Sequence, residues 1–242
     1  MIRLAILKTD YVRTEWVPEF GEYPDMFEAV FRKCEAEISF QTFDTQLDEY
    51  PDDLNEFDAY LITGSKSSVY DKELWIERLM EFVRELNEVQ KKLIGICFGH
   101  QLVAEALGGT VQKSSKGWGV GVHKHTFSEI PEWHDSQSHH FNILVSHQDQ
   151  IVRNADGVKV LAGSEFCENA VCQLDEHILT FQGHPEFIPD YSREIIGFRR
   201  EMIGHETSEA GLASLSITPE SKRVVQWMIN FINMKTVTST DG

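Results

Sequence analysis

The sequence predicts an α/β fold: a doubly wound, mostly parallel sheet flanked by helices, with extra strands in the second half. Three observations predict it. Short apolar runs alternate with segments of helical periodicity as far as Gly109. A long amphipathic stretch separates the third run from the fourth, as a parallel crossover requires. Beyond it, five further runs have strand character.

Residues 2–7 form an apolar run broken only by Arg3, the pattern of a strand buried on both faces. Residues 24–37 place Met26, Phe27, Val30 and Phe31 at helical spacing, and residues 38–43 alternate as a second strand. The third strand, residues 59–63, runs into Gly64-Ser65. Asp71 is a candidate N-cap for a helix reaching Val89, with Trp75, Leu79, Phe82, Val83 and Leu86 on one stripe. Residues 93–96 make the fourth strand. A helix over QLVAEAL follows, closed by Gly108-Gly109. In the second half, strands are expected at 118–127, 141–145, 158–162, 170–174 and 177–181. Two helices end the chain, one at 189–205 and one from Thr218, with Pro219 in its first turn, to about Met234. No linker divides the sequence, so residues 1–235 are expected to form a single domain and residues 236–242 a flexible tail.

Composition narrows the function. Of 242 residues 39 are acidic and 22 basic, a net charge of −17. Such a field repels phosphate backbones and anionic lipid, and no Lys/Arg run offsets it, so neither nucleic acid nor membrane is an expected partner. No stretch has the length and apolarity of a transmembrane helix or a signal peptide. Cys34, Cys97, Cys167 and Cys172 show no zinc-type spacing and read as free thiols of a cytoplasmic protein.

The densest chemistry lies in Gly95-Ile96-Cys97-Phe98-Gly99-His100-Gln101. A strand entering Gly-x-Cys-x-Gly and then a helix has the form of a nucleophile elbow, with small residues where the turn is sharp. Cys97 would stand at the carboxyl end of the sheet, its thiolate facing the positive end of the next helix. A buried structural cysteine has the same local pattern. A cysteine nucleophile needs a base, and the base needs an orienting group. The strand HILTFQG leads into His184-Pro185-Glu186, which supplies both; a strand-end histidine in a surface turn fits this segment taken alone.

Together these segments resemble the class I glutamine amidotransferases, the glutaminase domains of which GMP synthetase carries one. The matching pieces are LITGSKSSVY, GICFGHQ with AEALGG, SHQD and HPE, in that order over residues 59–187. The resemblance implies a flavodoxin-like glutaminase fold, with Cys97 as nucleophile, His184 as base and Glu186 as its orienter. It implies oxyanion donors at Phe98 and at the Gly64-Ser65 turn. Gln101 and the loop Ser146-His147-Gln148-Asp149 would hold the substrate's amino-acid end, the loop mainly through its backbone. The implied reaction hydrolyses the γ-glutamyl amide of glutamine through a cysteine thioester, giving glutamate and ammonia. No cofactor or metal is called for.

Two positions depart from the family pattern. Gly64-Ser65 stands where many members have two glycines, and Gln148 stands where the SHGD-type loop has glycine. Both leave the three catalytic residues intact and leave strict glutamine specificity open. An ammonia-accepting synthase would be a separate protein. The free-standing γ-glutamyl peptidases of the same family, acting on glutathione-like molecules, share the Gly-Ser turn and the HQD loop. A non-catalytic regulator on the same fold is the third reading. A metal protein is the fourth, since His123, His125, His134, His139, His140 and His147 cluster in sequence; these read as solvated loop histidines.

Overall fold

Period-two alternation in the first strand sets the layering. In β1 (Ile2–Lys8), Leu4 and Ile6 face one side of the sheet, and Ala5 and Leu7 the other. The computed structural model describes residues 1–34 and 36–234; the tail expected at 236–242 lies outside the described residues. The chain continues through α1 (Val17–Phe20), α2 (Tyr23–Phe31), β2 (Ile38–Asp44), β3 (Ala59–Ile62), α3 (Leu74–Glu88), β4 (Lys92–Ile96) and α4 (Phe98–Ala106). Then come β5 (Thr110–Lys113), β6 (Gly119–Phe127), β7 (His140–His147), β8 (Asp149–Arg153), β9 (Lys159–Gly163), β10 (Val171–Leu174) and β11 (Ile178–Phe181). Helices α5 (Pro189–Phe198), α6 (Arg200–Ile203), α7 (His205–Ser214) and α8 (Ser221–Asn233) close the chain.

The main sheet has the order β2-β1-β3-β4-β11-β10-β9-β6-β7. Pairing is parallel from β2 to β11 and antiparallel from β11 to β7, so the extra strands of the second half extend a parallel frame. One face buries Leu4, Ile6 and Ile94 against Phe27 and Val30 of α2 and Val224, Trp227 and Phe231 of α8. The other buries Ala5, Leu7 and Tyr60 against Leu79 and Phe82 of α3 and Phe98 and Leu102 of α4. Helices on both faces leave the carboxyl edge of the parallel strands for loops, and the site lies there. Among the described residues no helix is long and apolar enough to cross a membrane.

Several local expectations are corrected. Asp71 does not cap α3: its carboxylate accepts the Ser68 amide at 2.8 Å, and the helix begins after Glu73. The helix expected at 24–37 ends at Phe31, its last buried apolar residue; Cys34 then bonds the Phe31 carbonyl and the chain turns toward β2. The helix expected at 189–205 is three helices, broken at Arg199 and at Gly204, whose φ of +92° a helix cannot continue. The last helix starts at Ser221, not Thr218. The clustered histidines are not all solvated: His125 stacks on Phe141 and His134 on Trp227, both buried, because an uncharged imidazole packs as an aromatic ring.

Candidate active site

Cys97 occupies the turn between β4 and α4 with φ +51° and ψ −97°, a conformation L-residues rarely adopt. Two glycines make the turn possible. A Cβ on Gly95 would come within 2.8 Å of the Gly99 backbone, and one on Gly99 within 2.6 Å of the Ile62 carbonyl oxygen. The Cys97 amide donates to the Phe181 carbonyl at 2.8 Å, extending the β4–β11 ladder by one residue and setting the sulfur beside the end of β11.

The chain leaves β11 through Gln182 and Gly183. A Cβ on Gly183 would meet the Ile143 side chain at 2.7 Å and displace it, so glycine eases the crossing to β7, where the His184 amide donates to the Leu144 carbonyl at 2.8 Å. The His184 ring lies flat on Phe187, with centroids 4.0 Å apart and planes 6° apart, and its Nδ1 is 2.7 Å from Glu186 Oε1. Cys97, His184 and Glu186 are each buried. Burial, the largest influence on His184, disfavours its charge. The Cys97 sulfur and the Glu186 carboxylate together outweigh burial and raise its pKa from 6.5 to about 10. The second Glu186 oxygen, Oε2, is buried without a hydrogen-bond partner among the described residues.

Gly64 closes against this group: a Cβ there would lie 2.8 Å from His184 Cε1 and 3.6 Å from Cys97 Cβ. The glycine of the Gly-Ser turn is thus sterically required, while Ser65 is accommodated and its Oγ accepts the Ser67 amide at 3.2 Å. The turn is tied to the end of β1. Thr9 Oγ1 donates to the Gly64 carbonyl at 2.8 Å, and the buried Asp10 carboxylate takes the Lys66 amide and ammonium at 2.9 and 2.7 Å. The Phe98 and Ser65 amides have no acceptor among the described residues, and Phe98 opens α4, where first-turn N–H groups have no intrahelical partner.

A cavity of about 450 Å³ opens over Cys97, lined by Ser65, Gln101, Trp118, His147, Gln148 and Arg199 among others. The Asp149 carbonyl accepts Gln101 Nε2 at 2.8 Å and His147 Nδ1 at 3.0 Å, and its carboxylate accepts the Ser68 and Tyr70 hydroxyls at 2.6 and 3.0 Å. Burial pushes the His147 pKa down to about 3, so the ring is neutral with its proton on Nδ1, facing that carbonyl. Ser146 Oγ accepts Arg199 at 3.2 Å, and the Gln148 carbonyl accepts the Ser114 amide at 3.0 Å.

The residues given catalytic, oxyanion and substrate-holding roles by the resemblance therefore fall together. Sequence reasoning passed over Thr9, Asp10, Gln182 and Arg199. Of these, Gln182 carried a signal: two residues before His184 at a strand end, it shares that residue's side of the chain.

Comparison with known proteins identifies the family. A family model described as glutamine amidotransferase class I matches residues 18–200. γ-Glutamyl peptidase 2 of Arabidopsis thaliana is 28% identical over 229 residues, covering 90% of this chain and 91% of its own. A glutamine-hydrolyzing GMP synthase chain of Archaeoglobus fulgidus is 27% identical over 168 residues, covering 69% of this chain and 85% of its own. A crystal structure of a glutamine amidotransferase from Thermotoga maritima superposes with a TM-score of 0.72 at 17% identity, over 95% of this chain and 96% of its own. With three quarters of its length under that family model and its fold shared, this chain belongs to the class I glutamine amidotransferases.

Proposed function

We propose that the chain hydrolyses a γ-glutamyl amide through a thioester on Cys97. The observation that carries this reading is a buried cysteine set beside a buried histidine at Gly64, with the histidine's Nδ1 held by a buried carboxylate. His184 already holds the proton of the Cys97 thiol at neutral pH, and the thiolate sulfur attacks the γ-carbonyl carbon. The Phe98 and Ser65 amides receive the developing oxyanion. The carbon–nitrogen bond breaks as His184 returns the proton to the departing nitrogen. Water, deprotonated by His184, then cleaves the thioester to glutamate and regenerates the thiolate beside protonated His184.

With glutamine the departing group is ammonia, destined for a separate synthase. A second reading has a specific observation in its favour. The cavity is of a size that drug-sized ligands fill, larger than one amino acid needs. Arg199 lines it without a carboxylate partner among the described residues, steadied by Ser146 and 5.8 Å from the Trp118 ring. A departing amine that carries its own carboxylate, as in a γ-glutamyl peptide, matches that guanidinium. The four unpaired thiols suit a reducing, cytoplasmic setting.

Glutamate release from glutamine and from γ-glutamyl peptides, each with a Cys97→Ser control, tests both readings. Release from either that vanishes in the control supports the chemistry. Release from the peptides alone selects the second reading. No release from any γ-glutamyl compound overturns both.

A further inference from the structure

Gln182 is fully buried, and a side-chain amide at that depth has to place its donors and its acceptor. Which end faces which neighbour follows from a chain of hydrogen bonds anchored on a group with no choice. The Asp149 backbone carbonyl can only accept. Gln101, 2.8 Å from it, must therefore present its NH2. The same NH2 lies 2.9 Å from the Gln182 side chain, which must answer with its carbonyl oxygen. Gln182 then turns its own NH2 the other way, and 3.5 Å from that nitrogen lies Cys97 Sγ. Both amide protons of Gln101 are engaged in this chain, so its side chain meets the cavity through Oε1 alone.

We propose that Gln182 is a further catalytic residue, whose amide N–H holds the Cys97 thiolate, and that Gln101 is the positioning residue that keeps this amide from turning over. An N–H donor favours the anion over the neutral thiol, because hydrogen bonds to charged acceptors are the stronger ones. A reversed amide would aim its oxygen at the sulfur and repel the charge. The Asp149 carbonyl forbids that reversal from two hydrogen bonds away. The segment Gln182-Gly183-His184 thus delivers two groups to one sulfur, a proton acceptor and a fixed donor.

The catalytic meaning of this contact rests on the hydrolase reading above, so the test uses the sulfur itself and needs no substrate. The rate of Cys97 alkylation by iodoacetamide is followed from acid to alkaline pH, with the modified residue identified by peptide mass spectrometry. Burial raises the Cys34 thiol and pushes Cys167 and Cys172 to about 12, which keeps these three slow. In Gln182→Met the midpoint of the profile moves up by about one pH unit, a loss of about ten-fold in rate on its acid side. Gln101→Met, which leaves Gln182 free to turn, moves it the same way by less. A packing role alone lowers the melting temperature and leaves the midpoint where it was. An unmoved midpoint in folded Gln182→Met overturns the proposal; if that variant does not fold, an unmoved midpoint in Gln101→Met does so. Should the wild-type protein release no glutamate, the proposed function falls and the alkylation profile still decides the role of Gln182.

Discussion

His184 keeps its proton to higher pH in the folded chain than in the unfolded one, because the Cys97 sulfur and Glu186 outweigh the cost of burying it. The sign of the consequence follows by linkage. Below pH 6.5 both states hold the proton and the full contribution to stability is present. It is lost as pH rises through about 10, where the folded state releases the proton. Urea unfolding of the wild-type protein across this window is expected to show stability falling with pH, and His184→Gln to show a flatter profile. An equal slope in the two proteins contradicts the ion pair. That Cys97, His184 and Glu186 would meet was legible in the sequence because each sits in a short segment whose residue types suit one chemistry. Gln182 and Arg199 were not. A glutamine acquires meaning only from what its two ends face, and Arg199 lies at a helix break that periodicity does not mark.

The elements around the elbow owe their spacing to small residues. Gly99 lets α4 approach β3 so closely that a methyl group would stand 2.6 Å from the Ile62 carbonyl. Gly197, inside α5, has nothing within 4 Å of the same position. Two alanine substitutions are therefore expected to act in opposite directions. Gly99→Ala destabilises by about 1–3 kcal/mol through overpacking. Gly197→Ala stabilises by about 0.5–1 kcal/mol through the entropy of the unfolded chain. Chemical denaturation of both variants checks the pair, and a stabilised Gly99→Ala would show that the close approach is not required. The strands of the parallel frame were read from their apolar runs, with errors only at their ends. Strands β5 and β8 escaped notice because they are short and pair only with each other as an edge ribbon, so little of their sequence is apolar. Asp71 misled as a cap because the same side chain closes an earlier turn.

Across the whole molecule, two helical layers cover the parallel strands and leave their carboxyl edge to the loops that carry the chemistry. The protein bears a net charge of −17, yet in the cavity over Cys97, where Asp10 neutralises Lys66, Lys113 and Arg199 stand against the carboxylate of Asp149. That local reversal of sign suits an anionic substrate in a molecule that otherwise repels one. The doubly wound architecture was legible in the order of strands and helices. The antiparallel extension was legible only as extra strands, since a strand's direction is set by its neighbours and not by its own residues.

A thioester on Cys97 is a covalent bond that acid can trap. Protein mixed with a γ-glutamyl substrate, quenched in acid before turnover is complete and digested for mass spectrometry, is predicted to carry a γ-glutamyl group on the peptide containing Cys97. A γ-glutamyl group on a different residue, or glutamate release at the wild-type rate from Cys97→Ser protein, would contradict it.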